Sequence, residues 1–219
     1  MISPPYPIII RDQQLWLSHQ RCVFWEDKKV LILSDSHFGK IGHFRKEGIG
    51  LPQGVYNDDL KRLVNIIQYF KPEKVIFVGD LFHSYQNKEI EQFHKLRKET
   101  IDIPLILVKG NHDVLSDNIY KDLHIEYHES SLQLEPFSFA HDIQSIKNKD
   151  DLYYFTGHIH PGIQIKSKAK QAVQLPCFYF KNHFSYLPAF SLFTGTVKVK
   201  ANPGDAIFMI SKDNIIPLQ

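Results

Sequence analysis

The sequence predicts a mixed α/β (α+β) fold in which two packed sheets are flanked by helices. Apolar runs and amphipathic helices alternate up to about residue 108, whereas short β-like runs separated by turn signals dominate beyond residue 124. This change favours two sheets packed against each other. At 219 residues the chain can bury one full core, and no linker or repeat interrupts it. We therefore expect a single domain over residues 1–219.

The first half is predicted to alternate strands and helices after an opening hairpin. In the first helix, apolar residues recur at i, i+3, i+4, i+7 and i+10 from Leu60, which places them on one face. Asn57 or Asp58 can cap this helix, and Pro72 ends it. In chain order, the predicted elements are strands at 14–18, 21–25 and 29–35, a helix from 57 or 58 to 70, a strand at 75–78, a helix at 87–99 and a strand at 105–108.

The second half is predicted to be rich in short strands. Turn signals near residues 147–150 and 202–205 separate its apolar runs. Aromatic residues that alternate along these runs, such as Tyr153 and Tyr179, can be core residues or base-stacking platforms, and the core interpretation is favoured. The predicted runs are 125–128, 132–141, 152–156, 163–166, 173–180, 184–190, 196–200 and 206–211.

Composition argues against membrane, disordered and disulfide-rich classes. The chain is 43% hydrophobic and 23% charged, and no run approaches the roughly 20 apolar residues of a membrane span. No signal peptide is evident at the N-terminus, and Cys22 and Cys177 stand far apart, as suits a reducing compartment. We expect a cytoplasmic protein with no membrane partner.

Charge is distributed unevenly along the chain. The net charge is +2, yet residues 161–219 contain seven lysines and two aspartates. A basic C-terminal part fits a polyanionic partner, and it equally fits a solvated lysine face.

Five apolar runs end in residues that can bind metal. Open α/β sheets carry their ligands at the carboxyl edge of the strands, which is where these residues fall. Carboxylate, amide and imidazole groups without a thiolate suit a hard-to-borderline divalent cation. Run 30–33 is followed by Asp35 and His37, and run 75–78 is followed by Asp80 and His83. Run 105–108 is followed by Asn111, His112 and Asp113. Run 137–140 is followed by His141, and run 152–155 is followed by His158 and His160.

Taken together, these residues resemble the signature of the calcineurin-like metallophosphoesterases. The matching motifs are D-x-H, G-D-x-x-H, G-N-H-D, a single histidine and G-H-x-H, in this order between residues 35 and 160. The resemblance implies a four-layer αββα sandwich and a pair of divalent cations about 3.5–4 Å apart that clamp a phosphoryl group and generate hydroxide. Manganese is the expected metal, and iron or zinc would also suit the mixed oxygen and nitrogen ligands.

The resemblance also implies a role for each motif residue. Asp80 is the natural ligand to bridge the two metals, because its strand is central in the strand order. The single histidine is assigned to His141, which follows a better strand than the alternatives His124 and His128. By similarity, the first metal would be held by Asp35, His37, Asp80 and His160, and the second by Asp80, Asn111, His141 and His158.

His112 resembles the acid histidine of the family, placed to stabilise the transition state or to protonate the leaving oxygen. Asp113 would orient it, although a helix N-cap is the alternative role for this carboxylate. Asn111 and His83 are also assigned to substrate binding, and Lys40, Arg45 and Lys46 are expected to contact phosphate groups.

Further stretches resemble one bacterial branch, the PdeM-type ligase-associated DNA damage response endonucleases. They are residues 35–52, 79–84, 175–178, 187–190 and 193–195. This resemblance implies a DNA endonuclease in repair, associated in function with an ATP-dependent DNA ligase, a helicase and an exonuclease. Two alternatives remain: a phosphatase or phosphodiesterase acting on nucleotides or small phosphoesters, and a non-catalytic metal-binding scaffold that docks a repair ligase or helicase.

Overall fold

The computed structural model describes residues 2–39, 55–83, 88–146, 151–166 and 172–218. In these ranges the chain forms two β-sheets, three α-helices and one 3-10 turn at Ile143–Ser145. The helices are α1 (Val55–Phe70), α2 (Lys88–Glu99) and α3 (Asp117–Asp122).

The first sheet follows chain order, and its second half is parallel. Strands β1 to β4 pair antiparallel, whereas β4 to β7 pair parallel, with the helices in the connections. Asp80 follows β5, which lies between β4 and β6 as predicted. The strands are β1 (Tyr6–Ile10), β2 (Gln13–Ser18), β3 (Cys22–Trp25), β4 (Val30–Leu33), β5 (Lys74–Val78), β6 (Leu105–Val108) and β7 (Ile125–His128).

The second sheet has the order β14-β11-β12-β13-β10-β9-β8, and β15 and β16 extend it from β12. Its strands β9 and β10 pair parallel to each other, so their carboxyl ends meet at one edge. The strands are β8 (Leu132–Leu134), β9 (Phe137–Phe139), β10 (Tyr153–Thr156), β11 (Pro161–Lys166), β12 (Ala172–Phe180), β13 (Phe184–Tyr186), β14 (Val197–Lys198), β15 (Ala206–Ile210) and β16 (Ile215–Pro217).

Two cores cover the two faces of the first sheet. Leu31 and Leu33 of β4 face the helices, whereas Val30 and Ile32 face the second sheet, as the two-residue period of a strand requires. Strands covered on both faces are apolar along their buried length, which explains why β4, β6 and residues 75–78 of β5 are unbroken hydrophobic runs.

Helices α1, α2 and α3 cover the outer face of the first sheet. Leu63 and Ile66 of α1, Phe93 of α2 and Tyr120 of α3 are fully buried in the same core as Leu31 and Leu33. Most of the face predicted for the first helix packs in this core, and the core also takes Ile66, which was not predicted, in place of Val64.

The core between the sheets combines aromatic residues of the second sheet with mostly aliphatic residues of the first. Phe137, Phe139, Phe155 and Phe178 pack there against the aliphatic residues of the first sheet. Tyr153 and Tyr179 are also buried, so they are core residues rather than base-stacking platforms.

The two sheets confirm the predicted α/β sandwich. The outer face of the second sheet carries two smaller clusters, one centred on Cys177 and the other on Ile143 of the 3-10 turn. In the described ranges, the α-helices all pack on the first sheet, and the 3-10 turn is the helical element beside the second.

Most predicted elements are present, and a few differ. Strands β1 and β16 were not predicted, and the run 132–141 is split into β8 and β9 by a turn at Glu135 and Pro136. The run 184–190 is a strand only as far as Tyr186, because the following residues leave the second sheet and contact the first. None of the helices in the described part is long and apolar enough to span a membrane.

Candidate metal centre

The loops that follow β4 and β5 run side by side beyond the end of the sheet. The N–H of Asp35 donates to the carbonyl of Gly79 at 3.0 Å, and the N–H of His37 donates to the carbonyl of Asp80 at 2.8 Å. These hydrogen bonds continue the parallel ladder into the loops. Asp35 and Asp80 are therefore presented next to each other, both almost fully buried.

The second sheet brings its histidines to the same place. The N–H of Gly157 donates to the carbonyl of His141 at 3.0 Å, which aligns the loops after β9 and β10. Nε2 of His160 lies 3.0 Å from Oδ1 of Asp35, and the backbone N–H of His158 points at the same carboxylate. The five predicted strand ends thus come from two sheets whose edges meet.

Five predicted ligands have left-handed backbone conformations. Their φ angles lie between +47° and +69°, a region that non-glycine residues rarely occupy and that costs of order 1–3 kcal/mol each. Strain of this kind persists where the surrounding structure holds it, and it clusters at functional sites. The five are Asp35, His37, Asp80, His158 and His160.

Gly79 shows how closely the ligands are packed. Its φ of +80° favours glycine, and a Cβ atom at this position would overlap the imidazole ring of His141. The G-D motif therefore needs its glycine for the approach of a histidine from the other sheet.

Two groups of donor atoms lie at this edge among the described residues. The first contains Asp35, His37 and His160, and the second contains Asp35, Asp80 and His141, with the donor atoms of each group within 4.8 Å of one another. Asp35 belongs to both groups. Oδ2 of Asp80 lies 3.3 Å from Nε2 of His141 and 3.9 Å from Nε2 of His37, so Asp80 faces one histidine of each predicted ligand set.

Asn111 and His158 lie beside the second group. Oδ1 of Asn111 is 3.3 Å from Nε2 of His141, and the rings of His158 and His141 make an edge contact with centroids 5.2 Å apart. The alternative His128 lies at the end of β7, where its Nε2 pairs with Glu126 at 3.0 Å.

His141 is oriented by a backbone carbonyl. Its Nδ1 lies 3.1 Å from the carbonyl oxygen of Val78, so we assign the Nδ1 proton to this bond, and Nε2 faces Asp80 and Asn111. A hydrogen bond of this kind fixes the tautomer and the ring orientation of histidine ligands.

Charge coupling between Asp80 and His141 is strong in the metal-free protein. Burial would raise the pKa of Asp80, but His141 and the N–H of His112 lower it to about 2. Burial would lower the pKa of His141, but the hydrogen bond to Asp80 and the charges of Asp35 and Asp80 raise it to about 9. The site therefore attracts a positive charge strongly.

The residues fit a pair of divalent cations. Nε2 of His160 is buried and close to Asp35 without making a hydrogen bond, as expected where two donors point to one ion. Carboxylate oxygens and imidazole nitrogens without thiolate suit manganese, iron or zinc.

His83 and His112 lie beside the first donor group. Their rings stack with centroids 4.7 Å apart, and the ring of His112 is also 5.3 Å from that of His37. The backbone N–H of His112 donates to Oδ1 of Asp80 at 2.9 Å, which holds this loop against the donor groups. The partly buried imidazole of His112 is thus fixed at the mouth of the site.

The carboxylate of Asp113 joins two loops. It accepts hydrogen bonds from the backbone N–H groups of Phe82, at 3.1 Å, and Gly110, at 2.9 Å. Burial raises its pKa to about 7. These bonds tie the loop after β5 to the loop after β6, and the orienting role toward the ring of His112 stays a prediction.

Sequence reasoning missed Ser34 as part of the site. Its Oγ lies 2.5 Å from Oδ2 of Asp35 and 2.7 Å from the carbonyl of Val78. A serine beside an aspartate has no distinctive pattern, so adjacency to Asp35 was the one available signal. Lys40, Arg45 and Lys46, predicted to contact substrate, lie outside the described residues.

The sandwich and its paired donor groups define a metallophosphoesterase. The chain belongs to the calcineurin-like phosphoesterase family, whose model matches residues 28–216. This family is a class of metal-dependent hydrolases, in agreement with the resemblance of the five motifs.

Two similar proteins are informative. The crystal structure of Pseudomonas putida nuclease MPE matches with a TM-score of 0.81 and 25% sequence identity, covering 98% of this chain and 100% of that chain. This match agrees with the predicted PdeM-type branch. A probable glycerophosphodiester phosphodiesterase GpdQ from Arcobacter nitrofigilis is 33% identical over 87 residues, which are 38% of this chain and 29% of that protein. The aligned part thus spans less than a third of that relative.

Proposed function

We propose that this protein is a manganese-dependent phosphodiesterase that cuts DNA internally and acts in DNA damage repair. The observation that carries the proposal is the pair of adjacent donor groups sharing Asp35, with Asp80 between His37 and His141. The likeness to a nuclease over nearly the whole chain supports a nucleic acid as the substrate, and the resemblance of the motifs to the PdeM-type branch favours DNA.

Two cations held by these groups would polarise the phosphoryl group and activate a water near neutral pH. The protein's own contribution is to fix the donors before substrate arrives. Asp35 and Asp80 are held by backbone hydrogen bonds, and His141 is held by the carbonyl of Val78. Little rearrangement is then needed during the reaction.

His112 is proposed to protonate the leaving oxygen. Its ring lies next to His37, and its backbone is tied to Asp80, so the imidazole stays within reach of a phosphate bound at the donor groups. His83, stacked on His112, limits the rotation of that ring.

The test is DNA cleavage by metal-stripped protein reloaded with manganese. Closed circular single-stranded DNA and supercoiled DNA are the substrates, because cutting a circle requires internal cleavage. His112→Ala and Asp80→Ala should each abolish cutting. His128→Ala is the matched control, since this histidine ends a neighbouring strand but pairs with Glu126, and it should keep full activity. Intact circles with manganese bound would overturn the endonuclease proposal.

A second candidate substrate class is a small phosphodiester. The similarity to a probable glycerophosphodiester phosphodiesterase over 87 residues favours it. Turnover of a chromogenic phosphodiester with intact DNA circles would select this function. Loss of that turnover in Asp80→Ala would assign it to the same donor groups.

The predicted association with an ATP-dependent DNA ligase, a helicase and an exonuclease is part of the proposal, as is a cytoplasmic location. Recovery of the ligase or helicase with the tagged protein from its own host would support physical association. Recovery of neither protein would mean that the association is one of function and not a physical complex.

A further inference from the structure

Residues 187–192 form a strap that crosses from the second sheet to the first. At one end, the N–H of Leu187 donates to the carbonyl of Thr156 at 2.7 Å. At the other end, Ala189 forms a parallel β-bridge with Ser34, and the N–H of Phe190 donates to the carbonyl of Ser34 at 2.8 Å. The N–H of Ser191 then donates to the carbonyl of Asp35 at 3.2 Å.

Both ends of the strap lie next to predicted metal ligands. Thr156 is the last residue of β10 and precedes the loop with His158 and His160, whereas Ser34 directly precedes Asp35. The first donor group takes Asp35 from one sheet and His160 from the other. The strap is therefore a covalent and hydrogen-bonded link between the two sheet edges that must meet at this group.

Arg21, in the turn between β2 and β3, anchors the strap. Its Nη1 donates to the carbonyl of Ala189 at 3.2 Å and to the carbonyl of Ser191 at 2.7 Å. Burial lowers the pKa of this arginine to about 10, although the group remains charged near neutral pH. One guanidinium thus holds the backbone on both sides of Phe190.

Arg62 and Asp59 of α1 anchor the strap from the helix side. Nη2 of Arg62 donates to the carbonyl of Phe190 at 2.8 Å, and its guanidinium lies 4.2 Å from the centroid of the Phe190 ring. Arg62 also forms a buried ion pair with Asp59. Oδ2 of Asp59 in turn accepts from the N–H of Leu192 at 3.3 Å.

A buried ion pair of this kind is a weak source of stability, because desolvation offsets much of the attraction between the charges. Arg21, Arg62 and Asp59 each make a hydrogen bond with the backbone of the strap, and Arg62 also donates to Gln20, which precedes Arg21 in the turn between β2 and β3. The main effect of these three residues is therefore to fix the position of the strap backbone.

We propose that Arg21 and Arg62 are positioning residues for the metal site, acting through the strap on Asp35. This inference rests on the proposed function in one respect, which is that both require the donor groups to bind a cation. Holding the strap keeps Asp35 at the distance from His160 that one cation requires. Neither arginine touches the donor groups, so neither is a catalytic residue.

The first test compares Arg21→Met with Arg21→Lys. Lysine can still donate to both strap carbonyls, whereas methionine fills similar space without donating. We expect Arg21→Met to weaken Mn²⁺ binding about 10- to 100-fold, as loss of groups that orient metal ligands does, and Arg21→Lys to restore it. Mn²⁺ binding to the stripped protein is measured by electron paramagnetic resonance, with folding checked by circular dichroism.

The second test compares Arg62→Met, combined with Asp59→Asn to avoid an unpaired carboxylate, with Arg97→Met. Arg97 is the matched control: it lies on α2 and donates to the backbone carbonyls of Ile101, Leu123 and His124, away from the strap. Both variants should lower the unfolding temperature of the stripped protein. Only the Arg62 variant should weaken Mn²⁺ binding.

Folded Arg21→Met protein with the Mn²⁺ affinity of the wild type would overturn the inference, and so would equal weakening in Arg97→Met. A wild-type protein that binds manganese but cuts no DNA would refute the proposed function alone. The two failures are thus distinguishable.

Discussion

At the scale of single residues, the site depends on small distances between loops. Gly110 is an example, since a Cβ atom there would overlap Oδ1 of Asp80 and press on the backbone N of the same residue. This glycine precedes Asn111 and its N–H is bonded to Asp113. A single methyl group is therefore enough to separate the loops that carry two predicted ligands.

We predict that Gly110→Ala displaces Asp80 and lowers Mn²⁺ affinity about 10-fold or more. Gly195→Ala is the control, because a Cβ at Gly195 meets nothing within 4 Å. Titration of Mn²⁺ into stripped protein measures both variants. Wild-type affinity in Gly110→Ala would contradict the close approach that the structure describes.

The protonation of His141 predicts a pH dependence of metal binding. Its pKa of about 9 in the metal-free protein means that the imidazole carries a proton at neutral pH, which a metal must displace. Displacing this one proton should make the Mn²⁺ affinity fall about tenfold for each unit that the pH drops below 9. Above pH 9 the imidazole is already neutral, so the affinity should level off. Isothermal titration between pH 7 and 10 in non-chelating buffers checks this, and a flat profile would contradict it.

At the scale of elements, α1 has two tasks. Its apolar face, with Leu63 and Ile66, packs on the first sheet, while Asp59 and Arg62, one turn apart, reach the strap. Most of this packing face, Leu63 included, could be predicted from the 3.6-residue period, although Ile66 was not part of the prediction. The role of the two charged residues could not, since charges three residues apart on a helix usually form an exposed pair.

We predict that Leu63→Ala lowers the free energy of unfolding by about 2–5 kcal/mol, because it opens a cavity in a fully buried position. Asn65→Ala, on the exposed face of the same helix, should change it by less than about 0.5 kcal/mol. Urea unfolding of the stripped protein measures both. Similar values for the two variants would mean that α1 is not packed as described.

At the scale of the whole molecule, the metal site joins the two sheets. Asp35 and Asp80 come from the first sheet, and His141 and His160 come from the second, so a cation held by either donor group would crosslink the two sheets. Loss of the metals should loosen the edge where the sheets meet, and the core between the sheets should remain.

We predict that manganese at 100 times its dissociation constant raises the free energy of unfolding by about 2.7 kcal/mol per site. Thermal unfolding of the stripped and loaded protein measures the change. Asp80→Asn, which keeps the size of the side chain and removes its charge, should lose most of the increase. Equal stabilisation of this variant would place the bound manganese elsewhere.

Much of this protein could be predicted from local sequence. Apolar runs such as residues 30–33 and 105–108 predicted the buried strands, and the polar residues directly after the runs include the donors that the structure brings together. Both patterns are local in the sequence, because the polar residues follow their strand directly and lie in the loop at its carboxyl end. The chemistry of the donors then indicated a divalent cation without further structural information.

The tertiary structure alone decided how these parts are joined. The sequence could not divide the five strand ends between two sheets, place Asp35 in both donor groups, or assign residues 187–192 to a strap. These features depend on contacts between distant residues: Asp35 and His158 are 123 positions apart, Arg62 and Phe190 are 128 apart, and Arg21 and Ser191 are 170 apart. Contacts at such separations leave no periodicity or spacing in the chain, and they arise only when the two sheets pack together.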